Sequence, residues 1–337
     1  METLQIIWYI LIGVLLLGYS ILDGFDLGVG VLFPFVAKTE DEKRVLLNSI
    51  GPFWDGNEVW ILTGGGALFA AFPHAYATVF SGFYLALMLV LFALIFRAVS
   101  IEFRAYSENK KFWEWSFIIG SFLPALLYGV ALGNVVYGVP IKEISGNLEY
   151  AGNFFTLLRP YPLLWGLTGL FMFLLQGASW LSLKTEGELQ ERVKKVFTKL
   201  WIAFIILFVL LTIFTFILMP EVTGKIPGWI FFVLTLLSWY LSYYFIKNGK
   251  ERFSFYATSS LIASLWGIVG VMHFPNLVKA VDDNNLSLTI YNSSSSKLTL
   301  TVMLTIALIG MPIVIFYTSY IYKVFKGKVK LEEGSGY

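Results

Sequence analysis

Residues 51–60 read GPFWDGNEVW, and they open a run that is then apolar from Ile61 to Phe72. Asp55 and Glu58 are three residues apart, so on a helix both carboxylates share one face. Trp54 and Trp60 flank them, and Asn57 adds a further polar group. The preceding hydrophobic run holds a second pair at the same spacing, Asp23 and Asp26, in LDGFDLGVG at 22–30. A carboxylate at the centre of a bilayer costs about 2.5–3.5 kcal/mol on insertion scales. Two such pairs in neighbouring segments are therefore expected to face a protein interior rather than lipid.

Composition places the whole chain in a membrane. Its 337 residues are 57% hydrophobic and 18% aromatic, and only 14% are charged, against about 25% in a soluble domain. The 24 basic and 22 acidic residues nearly cancel, which gives no sign of nucleic-acid binding. With no cysteine, disulfides, thiolate metal sites and iron–sulfur clusters are excluded. The opening Met-Glu-Thr-Leu-Gln lacks a basic n-region, so the first hydrophobic run is expected to be a retained span.

A bilayer core of roughly 30 Å needs about 20 apolar residues per helix. By that measure nine spans are expected, at 4–36, 52–72, 76–97, 114–139, 160–183, 198–220, 227–247, 254–275 and 298–323. Prolines 52, 73, 140, 160, 220, 227 and 275 lie at or near these boundaries, as expected of a helix breaker. With the N-terminus outside, only Lys142, Arg159, Lys225, Lys279 and Lys297 of the 24 basic residues fall outside, which satisfies the positive-inside rule. Asp23 and Asp26 then lie in the cytoplasm-facing part of span one, and Asp55 and Glu58 at the cytoplasmic entrance of span two. All four carboxylates stand on the side from which protons would be drawn.

Each feature has a plainer reading. Asp55 lies so near the start of its helix that stabilisation by the helix dipole competes with a proton path or ion site; Glu58 is deeper. Gly24 and Gly28, and Gly64–Gly66 with Ala67, Ala70 and Ala71, read as a close-packing seam. Arg97 and Arg104 bracket the end of span three and read first as a positive-inside border, with pairing of Arg97 to an intramembrane acid as the alternative. His74 and His273 sit beside prolines at span ends on the outer side and do not read as a haem-ligand pair. The tryptophans read mostly as an interfacial belt, with Trp54 set apart by its acidic neighbour. The loop at 276–297 is polar, suited to lying on a partner or on the membrane surface, and its Asn292-Ser-Ser is a weak glycosylation-like signal. The tail from Lys323 to Tyr337 reads as a polybasic anchor.

LDGFDLGVG (22–30), NSIGPFWDGNEVW (48–60), GGALFAAFP (65–73), SGFY (81–84), IGSFLP (119–124), GNFF (152–155), QGASWL (176–181) and KLTLTVM (297–303) together resemble subunit II of the bacterial cytochrome bd quinol oxidases. The resemblance runs from the first span to the last. It implies an all-α polytopic fold of nine helices, two four-helix bundles and one peripheral helix, in a single membrane domain over 1–337. It implies a heterodimer in the bacterial cytoplasmic membrane with a haem-bearing subunit I, which holds two b-type haems and one d-type haem, oxidises quinol and reduces dioxygen to water. This chain would bear no haem ligand, no metal and no catalytic residue, and would line a proton channel from the cytoplasm. Asp55 of the WDG motif matches the family's channel carboxylate, Asp26 is expected as a second member, and Asp23 matches the other acid of DGFD. Glu58 stands where some relatives have glutamine. Trp54 and Asn57 are supporting residues. The resemblance leaves room for a structural quinone, with no site assignable, and for a small single-helix third subunit. A proton-coupled secondary transporter using the same acids, and a purely structural partner, stand as rival readings.

Overall fold

The computed structural model describes residues 1–144 and 146–331. Eleven α-helices follow in order: α1 Glu2–Val36, α2 Glu40–Ile50, α3 Trp54–Ala71, α4 Pro73–Gly82, α5 Tyr84–Phe103, α6 Lys110–Tyr137, α7 Pro160–Lys184, α8 Gly187–Leu218, α9 Ile226–Lys247, α10 Glu251–His273 and α11 Lys297–Val324. Two antiparallel hairpins, β1 Ile141–Ile144 with β2 Asn147–Tyr150 and β3 Asn276–Val278 with β4 Leu288–Thr289, occupy the long loops. Among the described residues, eight helices are long and apolar enough to cross a membrane: α1, α5 to α10, and α11. The expected span at 52–72 forms α3, but its 18 residues include Asp55, Asn57, Glu58 and four glycines, and it lacks the continuous apolar stretch that the other eight carry.

The largest departure from expectation is the third span. The sequence reading placed it at 76–97, whereas the chain breaks at Phe83 into the short α4 and the long α5, which runs to Phe103. Pro73 starts α4 at its first turn, and His74, Thr78 and Ser81 make that segment half polar. Thr78 donates through Oγ1 to the Leu148 carbonyl of β2 (2.9 Å), and Gly82 lies against the Tyr150 ring. The ends of the other helices fall close to the expected boundaries, with α8 beginning eleven residues earlier, at Gly187, where a charged amphipathic stretch precedes the apolar one.

α7 is the most buried span, and α1 packs along it with α3, α6 and α10 around them. The α1–α7 crossing depends on glycine. A Cβ built on Gly28 would overlap the Phe173 carbonyl oxygen, and one on Gly177 would lie 2.6 Å from the Gly28 carbonyl carbon. Gly24 meets the Phe173 ring at 2.9 Å, so the expected seam exists at this pair of positions. It holds only in part on α3: Gly64 meets Leu16 at 3.4 Å, while Gly65 and Gly66 meet nothing within 4 Å among the described residues. Gly28→Ala is expected to destabilise the chain by about 1–3 kcal/mol, because a backbone carbonyl cannot step aside; the thermal midpoint of the purified protein checks it.

One end of the bundle is charged. Thr39 and Glu42 form a capping box that starts α2. Arg104, almost fully buried, bonds Glu40 (2.9 Å) and Glu114 (2.7 Å), while Lys43 bonds Glu114 and Lys110 bonds Glu40. Arg192 of α8 pairs with Glu42, and Lys194 with Glu251 of α10. Burial works against the ionised forms of Glu40 and Glu42. It is outweighed by bonds from Lys110 and Arg104 to Glu40, and from the Lys38 and Thr39 amides and Arg192 to Glu42, so both carboxyls titrate below their ordinary 4.5. Folded values below the unfolded ones mean that stabilisation is complete above about pH 4.5 and fades as pH falls through the depressed values. Hydrogen exchange of residues 40–50 is therefore expected to be flat from pH 8 to 5, after correction for intrinsic rate, and to accelerate below about pH 4.5.

The opposite end is capped by the hairpins. The polar loop before α11 exposes residues 281–285, Tyr291 and Asn292 and anchors much of the rest of its length on the bundle. Ile290, Leu288 and Ser293 are buried, Ser295 bonds the Ala70 and Ala71 carbonyls, and Gln5 bonds Ser294. Asn292 accepts from the Thr289 amide and donates to the Ser287 carbonyl, so its side chain is committed to this turn. Two of the tryptophans, Trp8 and Trp180, are buried in the bundle and donate to the Leu300 and Ser49 carbonyls.

Candidate functional site

The LDGFD stretch lies in the later half of α1, where Asp23 and Asp26 are both fully buried. The side chain that meets them is Arg97, from the fourth turn of α5, also fully buried. Its Nη2 donates to Asp23 Oδ1 (2.7 Å) and its Nη1 to Asp23 Oδ2 (3.2 Å), the paired geometry that suits a guanidinium. Nη2 also stands 4.0 Å from Asp26 Oδ2, and Nη1 3.8 Å from Glu58 Oε2. Three acids from two helices thus surround one arginine from a third. The border reading of Arg97 is corrected: its side chain is fully buried, and its charge is sheltered by pairing with Asp23 rather than by reaching water.

Asn57, expected only to support the site, is central to it. Its Nδ2 donates to Asp26 Oδ2 (2.8 Å) and to the Leu22 carbonyl (3.3 Å), and its Oδ1 accepts from the Tyr322 hydroxyl of α11 (3.0 Å). The other oxygen of Asp26, Oδ1, is buried with no hydrogen-bond partner among the described residues, as is Nε of Arg97. Tyr19 and Tyr128 pack edge to face beside the cluster, their ring centroids 5.3 Å apart.

The three-residue spacing in α3 separates its two acids in depth. Glu58 is half-buried, with 21% of its side chain exposed, and reaches Arg97. Asp55, in the first turn of the helix, is exposed on the face that also presents Val59, Leu62, Gly66 and Phe69. The structure thus brings Asp23, Asp26, Glu58 and Asn57 together and leaves Asp55 one turn away at the surface of this chain. Trp54 is half-buried and packs on the main core; Trp60 lies against Gly18 of α1. Two further residues complete the site, Arg97, whose pairing with an acid was the second reading, and Tyr322. Arg97 had a signal, since it interrupts ALIFRAVSI with apolar residues on both sides; Tyr322, one of 18 tyrosines, had none.

Among the described residues, no group of three or more histidines and acids is arranged to hold a metal ion. His74 is exposed at the start of α4 and His273 is buried at the end of α10.

The family described as cytochrome bd terminal oxidase subunit II matches residues 4–325. The chain belongs to that family. It is 36% identical to cytochrome bd-I ubiquinol oxidase subunit 2 of Escherichia coli (strain K12), over 98% of this chain and 97% of that one. It is 35% identical to cytochrome bd ubiquinol oxidase subunit 2 of Bacillus subtilis (strain 168), with both chains covered in full. Its fold is similar to a chain of the bd oxidase from Geobacillus thermodenitrificans, with a TM-score of 0.75 at 12% identity, covering 96% of this chain and 98% of that one. In this member of the family, Asp23, Asp26 and Glu58 stand around one arginine, Arg97.

Proposed function

We propose that this chain is the haem-free subunit of a bacterial cytochrome bd quinol:oxygen oxidoreductase. It stands in the cytoplasmic membrane as nine spans, α3 included, with its N-terminus outside, and scaffolds a haem-bearing subunit I. Two b-type haems and one d-type haem belong to that partner. Reducing one dioxygen to two waters consumes four protons, and drawing them from the cytoplasm makes the turnover electrogenic. The uptake path runs along Asp55, Glu58 and Asp26, with Asp23 fixed as the counter-ion of Arg97.

The observation that carries this reading is the division of labour around Arg97. One guanidinium balances one carboxylate, and the two-point bond gives that place to Asp23. Asp26 keeps one oxygen without a partner among the described residues, at which a proton can bind and leave. Glu58 stands between buried Asp26 and exposed Asp55. Acids at graded depth, close enough to share a few waters, are what a relay needs. The exposed face of α3 supports a partner lying against Asp55, because a carboxyl group beside exposed Val59 is poorly suited to lipid. The family match displaces the transporter reading. The test is Asp26→Asn and Asp55→Asn in the assembled complex, with haem content and turnover measured together. Normal turnover with intact haems removes the substituted residue from the path.

A further inference from the structure

α11 is exposed along nearly its whole length, with Leu300 its one buried residue. Its last turn is different. The Tyr322 ring lies 4.5 Å from Phe53, 6.0 Å from Trp180 and 6.5 Å from Phe25, centroid to centroid. Immediately beyond, the Phe325 carbonyl accepts from Lys184 Nζ (2.6 Å), the Val329 amide donates to the Lys184 carbonyl (2.9 Å), and Lys328 Nζ donates to the Thr185 carbonyl. The tail expected as a polybasic anchor is, as far as Val329, tied across the end of α7; residues 332–337 lie outside the described residues. What this docking fixes in place is the Tyr322 hydroxyl.

That hydroxyl completes the hydrogen bonding of the Asn57 amide. An amide side chain has an acceptor end and a donor end, and only its neighbours choose between them. The Leu22 carbonyl and Asp26 Oδ2 both require the donor end, and Tyr322, donating to Oδ1, holds the acceptor end away from them. Asn57 is almost fully buried, so water cannot replace the missing donor freely. Without Tyr322 the buried acceptor end is unpaired, and withdrawal of the amide towards another donor lengthens its own bond to Asp26 Oδ2. The donor on Oδ2 also leaves Oδ1 as the oxygen of Asp26 open to a proton.

We infer that Tyr322 is a positioning residue for proton transfer: it reaches from the otherwise peripheral α11 to lock the Asn57 amide, and through it keeps Asp26 presenting a single oxygen to the incoming proton. The inference rests on the reading of Asp26 as part of the uptake path, and the experiment separates the two. Tyr322→Phe keeps the ring and its contacts with Phe53 and Trp180 while deleting the hydroxyl. It is to be compared with wild type and Asp26→Asn in the complex with the haem-bearing subunit, by haem content, turnover at saturating quinol, KM for quinol and the rate ratio in water against heavy water. The expected result is full haem content, turnover lowered roughly three- to tenfold with KM unchanged, the scale of one hydrogen bond, and a larger solvent isotope effect because proton delivery has become slower. A purely structural role would not raise the isotope effect. Wild-type turnover and isotope effect in Tyr322→Phe, with Asp26→Asn impaired, overturn the role of Tyr322 and leave Asp26 in the path. Wild-type turnover in Asp26→Asn overturns both. Loss of haem in Tyr322→Phe makes the hydroxyl a folding contact and overturns the inference as well.

Discussion

Replacing Arg97 by methionine is expected to prevent the subunit from accumulating in the membrane. Asp23 and Asp26 are both fully buried, and Arg97 is the cation that bonds the first and faces the second. Removing one member of a buried ion pair costs about 3–5 kcal/mol, because the remaining charge has neither water nor partner. Against a total stability of roughly 5–15 kcal/mol, that is a large share. The cost comes from the charge left behind, so deleting the partner as well should recover much of it. Arg97→Met combined with Asp23→Leu is expected to accumulate better than Arg97→Met alone, since an apolar replacement of a buried pair is often neutral. Immunoblots of membranes and recovery of the purified complex measure both. If Arg97→Met accumulated normally, the arginine would not be holding buried charge.

Asp26→Asn is expected to do the reverse, sparing assembly and removing turnover. Asparagine has the same shape, and its amide oxygen can still accept from Asn57 where Asp26 Oδ2 does now. Asp23 keeps its two bonds to Arg97, so no buried charge is stranded. What disappears is a group able to bind and release a proton. Positioned acid–base groups contribute about 10²–10⁴-fold, and a loss of turnover of roughly a hundredfold at full haem content is expected. Asp55→Asn should cost less, because Asp55 is exposed on this chain and the Glu58 side chain is itself 21% exposed.

Much of this was legible in the sequence, for identifiable reasons. Long apolar runs ended by prolines define most of the helices, since the cost of an unpaired backbone in lipid leaves few alternatives. The pairing of Asp23 with Asp26 across one helical turn, and the glycines beside them, reads directly as a sheltered acid next to a close crossing. The break at Phe83 is hidden because apolar residues continue through it; what makes α4 separate is its contact with β2, which is distant in sequence. Arg97 was misjudged for a related reason. The positive-inside rule counts charges near span ends, and it is blind to whether one of them turns inward to meet an acid 74 residues earlier. Tyr322 lies 265 residues from Asn57, and nothing local marks it. The carboxylates were legible as a set, whereas their ranking, with Asp55 at the surface and Asp23 and Asp26 fully buried, needed the packing of three helices.

The central claim is that protons reach the oxygen chemistry through Asp26. It is tested most directly by the complex reconstituted in vesicles, with a pH dye on the side where Glu40, Arg104 and Arg192 lie, followed after a pulse of oxygen to the quinol-reduced enzyme. The expected result is rapid proton uptake from that side in wild type and uptake slowed by roughly two orders of magnitude in Asp26→Asn, with equal haem content in both. Uptake at the wild-type rate in Asp26→Asn, or uptake in wild type from the opposite side, would contradict it.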